Sequence, residues 1–203
     1  MQVLKKQKVF VAMSGGVDSS VAAALLKKAG YDVYGIFMQG WSNPRFRCQW
    51  KSERQDAARV AAILDIPFRT LDTSVAYYER VVSYLLDEYR NGRTPNPDVM
   101  CNKYIKFGLF FDLALRHGAQ FVATGHYARI VGGSLSTAKD NNKDQTYFLW
   151  TLSQEHLEHT LFPIGDYLKS EVRKIARSFG LPVADKKDSQ GVCFVGEGSM
   201  SEF

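Results

Sequence analysis

The sequence contains no run approaching about 18 consecutive apolar residues, so nothing in it reads as a membrane-spanning helix. Its start, Met1-Gln2-Val3-Leu4-Lys5-Lys6, lacks the long apolar stretch of a secretory signal. Cysteine is scarce and odd in number: Cys48, Cys101 and Cys193 make no disulfide scaffold and suit a reducing cytosol. Their spacings resemble no CxxC ligand set, so an iron–sulfur cluster is not favoured, and no metal site is expected. Two common nucleotide signatures are missing as well, the Lys-Ser/Thr of GxxxxGK[ST] and the GxGxxG fingerprint. Neither an internal repeat nor a low-complexity tract is present. Charge of one sign is not in large excess: 26 basic against 21 acidic residues, net +5, which admits a polyanionic partner without requiring one. What remains is a 203-residue chain, 45% apolar and 23% charged, long enough to bury a full core and expected to be cytoplasmic with no membrane partner.

Lys8 to Met13 is a short apolar run that ends in Ser-Gly-Gly, the pattern of a buried strand entering a tight turn. A helix is predicted over Ser19–Ala29 with Gly30 as its stop, then a strand over Val33–Met38 and a polar loop from Gln39 to Lys51. Ser52-Glu53-Arg54-Gln55 has capping-box spacing and opens a helix toward Leu64. Phe68–Asp72 follows as a strand and Val75–Tyr89 as a longer helix. The prolines and glycine of the segment from Asn91 to Asp98 break both helix and strand. Helix resumes from about Cys101 to His117, and Phe121–Thr124 is a fourth strand. A hairpin over Ala128–Ser136, two helical segments (Gln154–Thr160 and Lys169–Phe179) and a polar link from Asp185 to Gln190 complete the reading. Such alternation indicates an α/β fold, a doubly wound, mostly parallel sheet followed by a small, partly helical segment. Ligands on such sheets sit at the carboxyl ends of the strands, where Ser14-Gly15-Gly16, Met38 and Gly125-His126 all fall.

Ser14-Gly15-Gly16-Val17-Asp18-Ser19-Ser20 joins a predicted strand to a helix N-terminus. Glycines let backbone approach a ligand, hydroxyls add donors, and unpaired helix-start amides favour an anion. A glycine turn with Ser/Asp caps is the plainer reading of the same residues. The heptapeptide matches SGGxDSS and resembles the pyrophosphate loop of the ATP pyrophosphatase superfamily, with its adenine nucleotide α-hydrolase-like fold. That resemblance implies ATP, with Mg2+, held by Ala12, Met13, Ser14, Gly15, Gly16, Val17, Asp18 and Ser19, and adenylation of a substrate oxygen with loss of pyrophosphate.

Cys101 follows the rigid Asn96-Pro97-Asp98 turn at a predicted helix start, beside Lys103 and Lys106, a setting expected to lower a thiol pKa. An isolated cysteine is more often a small buried hydrophobe. Cys193, in Lys186-Lys187-Asp188-Ser189-Gln190-Gly191-Val192-Cys193-Phe194, says little by itself. Taken in order, however, SGGVDSS, NPDVMCNKYIKF (Asn96 to Phe107), ATGHYAR (Ala123 to Arg129), KDQTYFL (Lys143 to Leu149) and KKDSQGVCF (Lys186 to Phe194) together resemble the bacterial tRNA-specific 2-thiouridylases. The resemblance runs from about Val9 to the C-terminus.

That resemblance implies a set of roles. ATP adenylates the C2 oxygen of the wobble uridine, turning a poor leaving group into a good one. Cys193 carries incoming sulfur as a persulfide, and Cys101 is the partner thiol that closes a Cys101–Cys193 disulfide as sulfur leaves. Asp98 is a general acid/base, or a group holding the uracil edge, among the base-contacting residues Asn96, Pro97 and Asp98. Met38 and Gly125 line the adenine side of the pocket, with a core methionine as the plainer reading of Met38. Lys143, Asp144 and Gln145 contact tRNA. The implied partners are tRNA and a sulfur-relay protein or cysteine desulfurase. His126 receives no role, and Cys48 is read as a bystander.

Two basic clusters stand beside aromatics: Arg45, Arg47, Lys51, Arg54 and Arg59 near Trp41, Phe46 and Trp50, and Arg90, Arg93, Lys103 and Lys106 around the Asn-Pro-Asp turn. Both suit RNA phosphates and base stacking, against the plainer reading of solvated helix faces. The chain is expected to consist of a catalytic part (1–138) and a helical tRNA-contacting segment (139–203), cut short of the family's β-barrel domains. The alternatives are another pyrophosphate-loop adenylating enzyme and an ATP- or RNA-binding module without turnover.

Overall fold

A computed structural model describes residues 6–42 and 50–188. Five strands form one parallel sheet: β1 (Lys8–Ala12), β2 (Asp32–Gln39), β3 (Phe68–Asp72), β4 (Phe121–Ala123) and, after an antiparallel hairpin of β5 (Arg129–Val131) and β6 (Ser134–Ser136), β7 (Thr160–Leu161). Their spatial order is β3-β2-β1-β4-β7. Val9 pairs with Val33 on one side and Phe121 on the other, so β1 is the central strand. The strand order reverses between β1 and β4, and this is where open α/β sheets leave a crevice.

The helices are α1 (Val17–Lys28), α2 (Trp50–Ile63), α3 (74–90), α4 (97–116), α5 (Gln154–Glu158) and α6 (Lys169–Ser178), with a 3₁₀ turn at Thr146–Leu149. Alternation along β1 sets the layers. Val9, Val11 and Met13 face a core shared with Val21, Ala57, Val60, Val172 and Ala176, so α1, α2 and α6 cover that side. Phe10 and Ala12 face the other, packed with Phe107, Phe110, Phe111 and Ala114 of α4. A third cluster joins α3 (Tyr77, Val81, Val82, Leu85) to Ile105, with Met38 and Cys101 packed against it.

Both α3 and α4 change register midway, adopting π-type turns at Tyr78–Val82 and Asn102–Phe110. The π turn brings residues five apart into line where an α-helix brings four. A Cβ on Gly108 would stand 3.0 Å from the carbonyl oxygen of Lys103, five residues back, so the missing side chain makes room for the wider turn.

The structure corrects several sequence expectations. The helix expected from Cys101 begins at Pro97. Proline is accepted at the first helical position because its absent N–H has no intrahelical partner there, and the Asn96 side chain caps the Val99 amide at 3.2 Å. Cys101 is therefore the fifth helical residue and not the first. Ser52 lies inside the first turn of α2, which is already helical at Trp50. The helix expected to reach Thr160 stops at Glu158, and Thr160–Leu161 pairs with β4 as the fifth strand. Two residues are too few for any periodicity to reveal a strand. None of the helices among the described residues is long and apolar enough to cross a membrane.

Candidate functional site

The loop after β1 is built around the absence of side chains. Gly15 has φ +78°, and a Cβ there would stand 2.2 Å from the Glu53 carbonyl oxygen, so α2 closes directly on the loop backbone. Gly16 is the N-cap of α1 and supplies no side-chain cap. The first helical amides, Val17 to Ser19, therefore have no intrahelical acceptor and concentrate partial positive charge at the helix start. Ser14 and Ser19 brace the turn: the Ser14 amide donates to Ser19 Oγ at 3.1 Å, and Ser20 Oγ donates to the Gly16 carbonyl at 2.7 Å. Ser14 itself is exposed. Ala12 and Met13 are buried; the Met13 amide continues the sheet by donating to Ile36, and its side chain lies under Gly35, so Met13 offers a ligand only backbone.

Across the crevice, a Cβ at Gly125 would lie 2.5 Å from the Ser19 amide nitrogen, so the end of β4 and the start of α1 meet backbone to backbone. His126 follows, buried, with Nδ1 2.7 Å from Thr124 Oγ1 and Nε2 3.3 Å from Lys106 Nζ. An ammonium can only donate, so Nε2 accepts and Nδ1 carries the proton. Burial, then the Lys106 charge, hold this imidazole well below its usual pKa, and it is neutral. Met38, near the end of β2, is half-buried and packs against two of the clusters, so core packing is part of its role.

Cys101 is half-buried against the α3–α4 cluster, and the structure reverses the expectation for its thiol. Burial raises its pKa and Asp98 adds to the rise, outweighing Lys106 and a hydrogen bond from Tyr77 that favour the thiolate. The physical reason is its place five residues into the helix, beyond the free amides that would stabilise a thiolate. Asp98 is exposed. Cys48 and Cys193 lie outside the described residues, and so do Arg45, Phe46 and Arg47.

The largest electrostatic feature was not legible in the sequence. Lys169, at the first position of α6, donates to both carboxylate oxygens of Asp18 at 2.8 and 2.7 Å, and Tyr127 Oη donates to the same carboxylate at 2.9 Å. Asp188 gathers Lys143 (2.6 Å), Lys169 (2.8 Å) and Arg173 (3.1 Å). Lys186 reaches the Gly15 carbonyl at 3.1 Å and Asp56 at 2.8 Å. Burial opposes ionisation of Asp188, but hydrogen bonds from Lys143 and Lys169 and their charge outweigh it and hold its pKa at about 2. A Lys-Lys-Asp tripeptide in a polar link carries no signal that it will fold onto a loop more than 150 residues away.

The remaining predicted contacts have local partners. Asp144 accepts from the Ala138 and Thr146 amides and from the Thr146 hydroxyl, and Gln145 Oε1 accepts from the Tyr127 amide. These bonds shape the loop that presents Lys143. Arg93 pairs with Glu88 in a two-point bridge and Arg90 with Asp87, as a solvated helix face would, whereas Lys103 and Arg80 both stack on Tyr104. In the first cluster Arg59 pairs with Asp56, Arg54 bonds Thr70 and stacks on Phe68, and Lys51 lies over Trp50.

Comparison with known proteins follows this geometry. Residues 7–197 match the family described as the tRNA methyl transferase HUP domain. Among curated proteins, the tRNA-specific 2-thiouridylase of Christiangramia forsetii is 51% identical over 97% of this chain and 53% of its own length. Those of Nitrosomonas eutropha and Streptococcus thermophilus are each 53% identical over 98% of the chain and 57% and 55% of their own lengths. The chain spans about half the length of the curated relatives it matches. Among solved structures, a U34-tRNA thiolase of Methanococcus maripaludis, described with a [4Fe-4S] cluster, shares the fold at TM-score 0.59 and 18% identity, covering 96% of this chain and 63% of that one. A 4-thiouridine synthetase in complex with RNA and ATP does so at TM-score 0.59 and 19% identity, covering 95% and 46%. With its sheet order, its glycine loop at the switch point and a family match over nearly all of its length, the chain belongs to the tRNA methyl transferase HUP-domain family and has the α/β fold of the pyrophosphate-loop enzymes.

Proposed function

We propose that this chain carries the catalytic part of an ATP-dependent tRNA-uridine 2-sulfurtransferase. The observation that carries the reading is the loop 14–19, whose free helix-start amides and cationic surroundings suit a pyrophosphate, set in a chain more than 50% identical to 2-thiouridylases. The division of labour follows residue 138: 1–138 binds ATP and presents Cys101, and 139–203 supplies Lys143 to the tRNA and carries Cys193.

The loop backbone of Ser14 to Ser19 holds the β- and γ-phosphates, with Met38 and Gly125 bounding the adenine. Mg2+ is commonly held by one or two carboxylates together with substrate phosphates. Asp18, at the loop, is the carboxylate that would share the ion, in exchange for the Lys169 ammonium that now holds both of its oxygens, and the ion would neutralise charge on the leaving pyrophosphate. Attack of the uracil C2 oxygen on the α-phosphorus releases pyrophosphate and leaves AMP on that oxygen. A persulfide on Cys193, loaded by a sulfur-relay protein or desulfurase, attacks C2 through its terminal sulfur and expels AMP. Cys101 thiolate then attacks Cys193 Sγ, freeing the C2 thiocarbonyl and forming a disulfide that two thiol equivalents of reductant reopen. Since burial keeps Cys101 protonated at neutral pH, its proton must leave before this attack, and exposed Asp98, next to the target base, is the acceptor. Asn96 and Pro97 fix Asp98 on the first helical turn.

Nucleoside mass spectrometry of tRNA from cells lacking this protein tests the proposal. Loss of 2-thiouridine, restored by the wild-type gene and not by Cys101→Ser or Cys193→Ser, is expected. Undiminished 2-thiouridine, or full rescue by Cys193→Ser, overturns it.

A further inference from the structure

Three cations from two stretches of chain converge on one carboxylate. Lys143 comes from the loop after the β5–β6 hairpin, Lys169 and Arg173 from successive turns of α6, and all meet Asp188 within 3.1 Å. Lys169 and Arg173 are largely shielded, with side chains 13% and 24% exposed. Lys169 also holds Asp18, in the first turn of the phosphate-loop helix, and two residues before Asp188 the Lys186 ammonium sits on the Gly15 carbonyl of the same loop. The end of the described chain is thus bolted across the phosphate loop. One bolt is an anion placed where several cationic donors point.

A carboxylate and a terminal phosphate present the same acceptor geometry to lysine and arginine donors. A phosphate held by the loop amides brings more charge to that cluster than a carboxylate does. We infer that Asp188 is an internal stand-in for a nucleotide phosphate, occupying the Lys169–Arg173 seat until ATP takes it and frees the 185–188 segment from the loop. The inference rests on the reading of loop 14–19 as an ATP site.

Calorimetric titration of the full chain with ATP and Mg2+ provides the test. Asp188→Asn removes the competing charge and keeps the shape, so it is expected to bind ATP about tenfold more tightly, equivalent to ~1.4 kcal/mol. Equal or weaker binding by a variant that is still folded at the titration temperature overturns the inference and leaves the ATP reading standing; no ATP binding by wild type overturns both. If Asp188→Asn does not fold, trypsin cleavage of the wild type after Lys186 and Lys187 decides. Saturating ATP is expected to accelerate cleavage there, and an unchanged or slower rate overturns the inference.

Discussion

At the scale of single residues, the site depends on atoms that are absent and on charges that are matched. Gly15→Ala must abandon φ +78° and drive a Cβ into the Glu53 carbonyl, so it is expected to cost about 2 kcal/mol or more and to abolish ATP binding. Chemical denaturation and ATP titration read the two effects separately. Tyr127→Phe removes a hydrogen bond to a charged acceptor, and a loss of ~1–2 kcal/mol in unfolding free energy is expected. For Cys101, raised by burial and partly offset by Lys106, alkylation by iodoacetamide should rise only at a pH above that of a free thiol. Lys106→Met should move the profile higher still. A profile unmoved by that substitution would show that Lys106 does not act on the sulfur. The glycines of the loop were legible from their motif, whereas the state of the thiol was not, because it depends on which turn of the helix the cysteine occupies.

At the scale of elements, local pattern and packing divide the credit. Central strands and long helices appear in the sequence because their burial leaves a continuous apolar run or a repeating stripe. Their ends were less legible. The Asn96 cap and Pro97 start look like a chain break to a reading that treats proline only as a breaker, yet both belong to the first turn of α4. Asn96→Ala is expected to lower stability by about 1 kcal/mol. It should also loosen the presentation of Asp98, measurable as faster amide exchange at Val99, the residue whose N–H it caps. β7 is held by β4 and the elements around it, and nothing within its two residues encodes it. The π-type stretch in α4 likewise follows from packing, with only Gly108 as a local trace.

At the scale of the molecule, the ion cluster and buried imidazole make stability depend on pH. His126 is neutral in the fold with its pKa well below 6.5, so below that pH the unfolded chain binds the extra proton. Stability is expected to fall as pH drops from about 6.5, by about 1.4 kcal/mol per pH unit, and His126→Gln should flatten that slope in denaturation series. Asp188 acts lower: its pKa of about 2 in the fold contributes about 2 kcal/mol above pH ~4, lost as pH falls from there toward 2. Asp188→Asn should remove that lower limb alone.

The sequence by itself determined the sheet class, the glycine loop and its place at a strand end, because glycine conformations and hydrophobic periods are local properties that neighbouring residues fix. Only the tertiary structure decided that Lys169, Arg173 and Asp188 join that loop, that His126 is buried and neutral, and that the Cys101 thiol is raised. Each of these depends on distances between residues far apart in the chain and on solvent excluded by the packed core, quantities that no stretch of sequence contains.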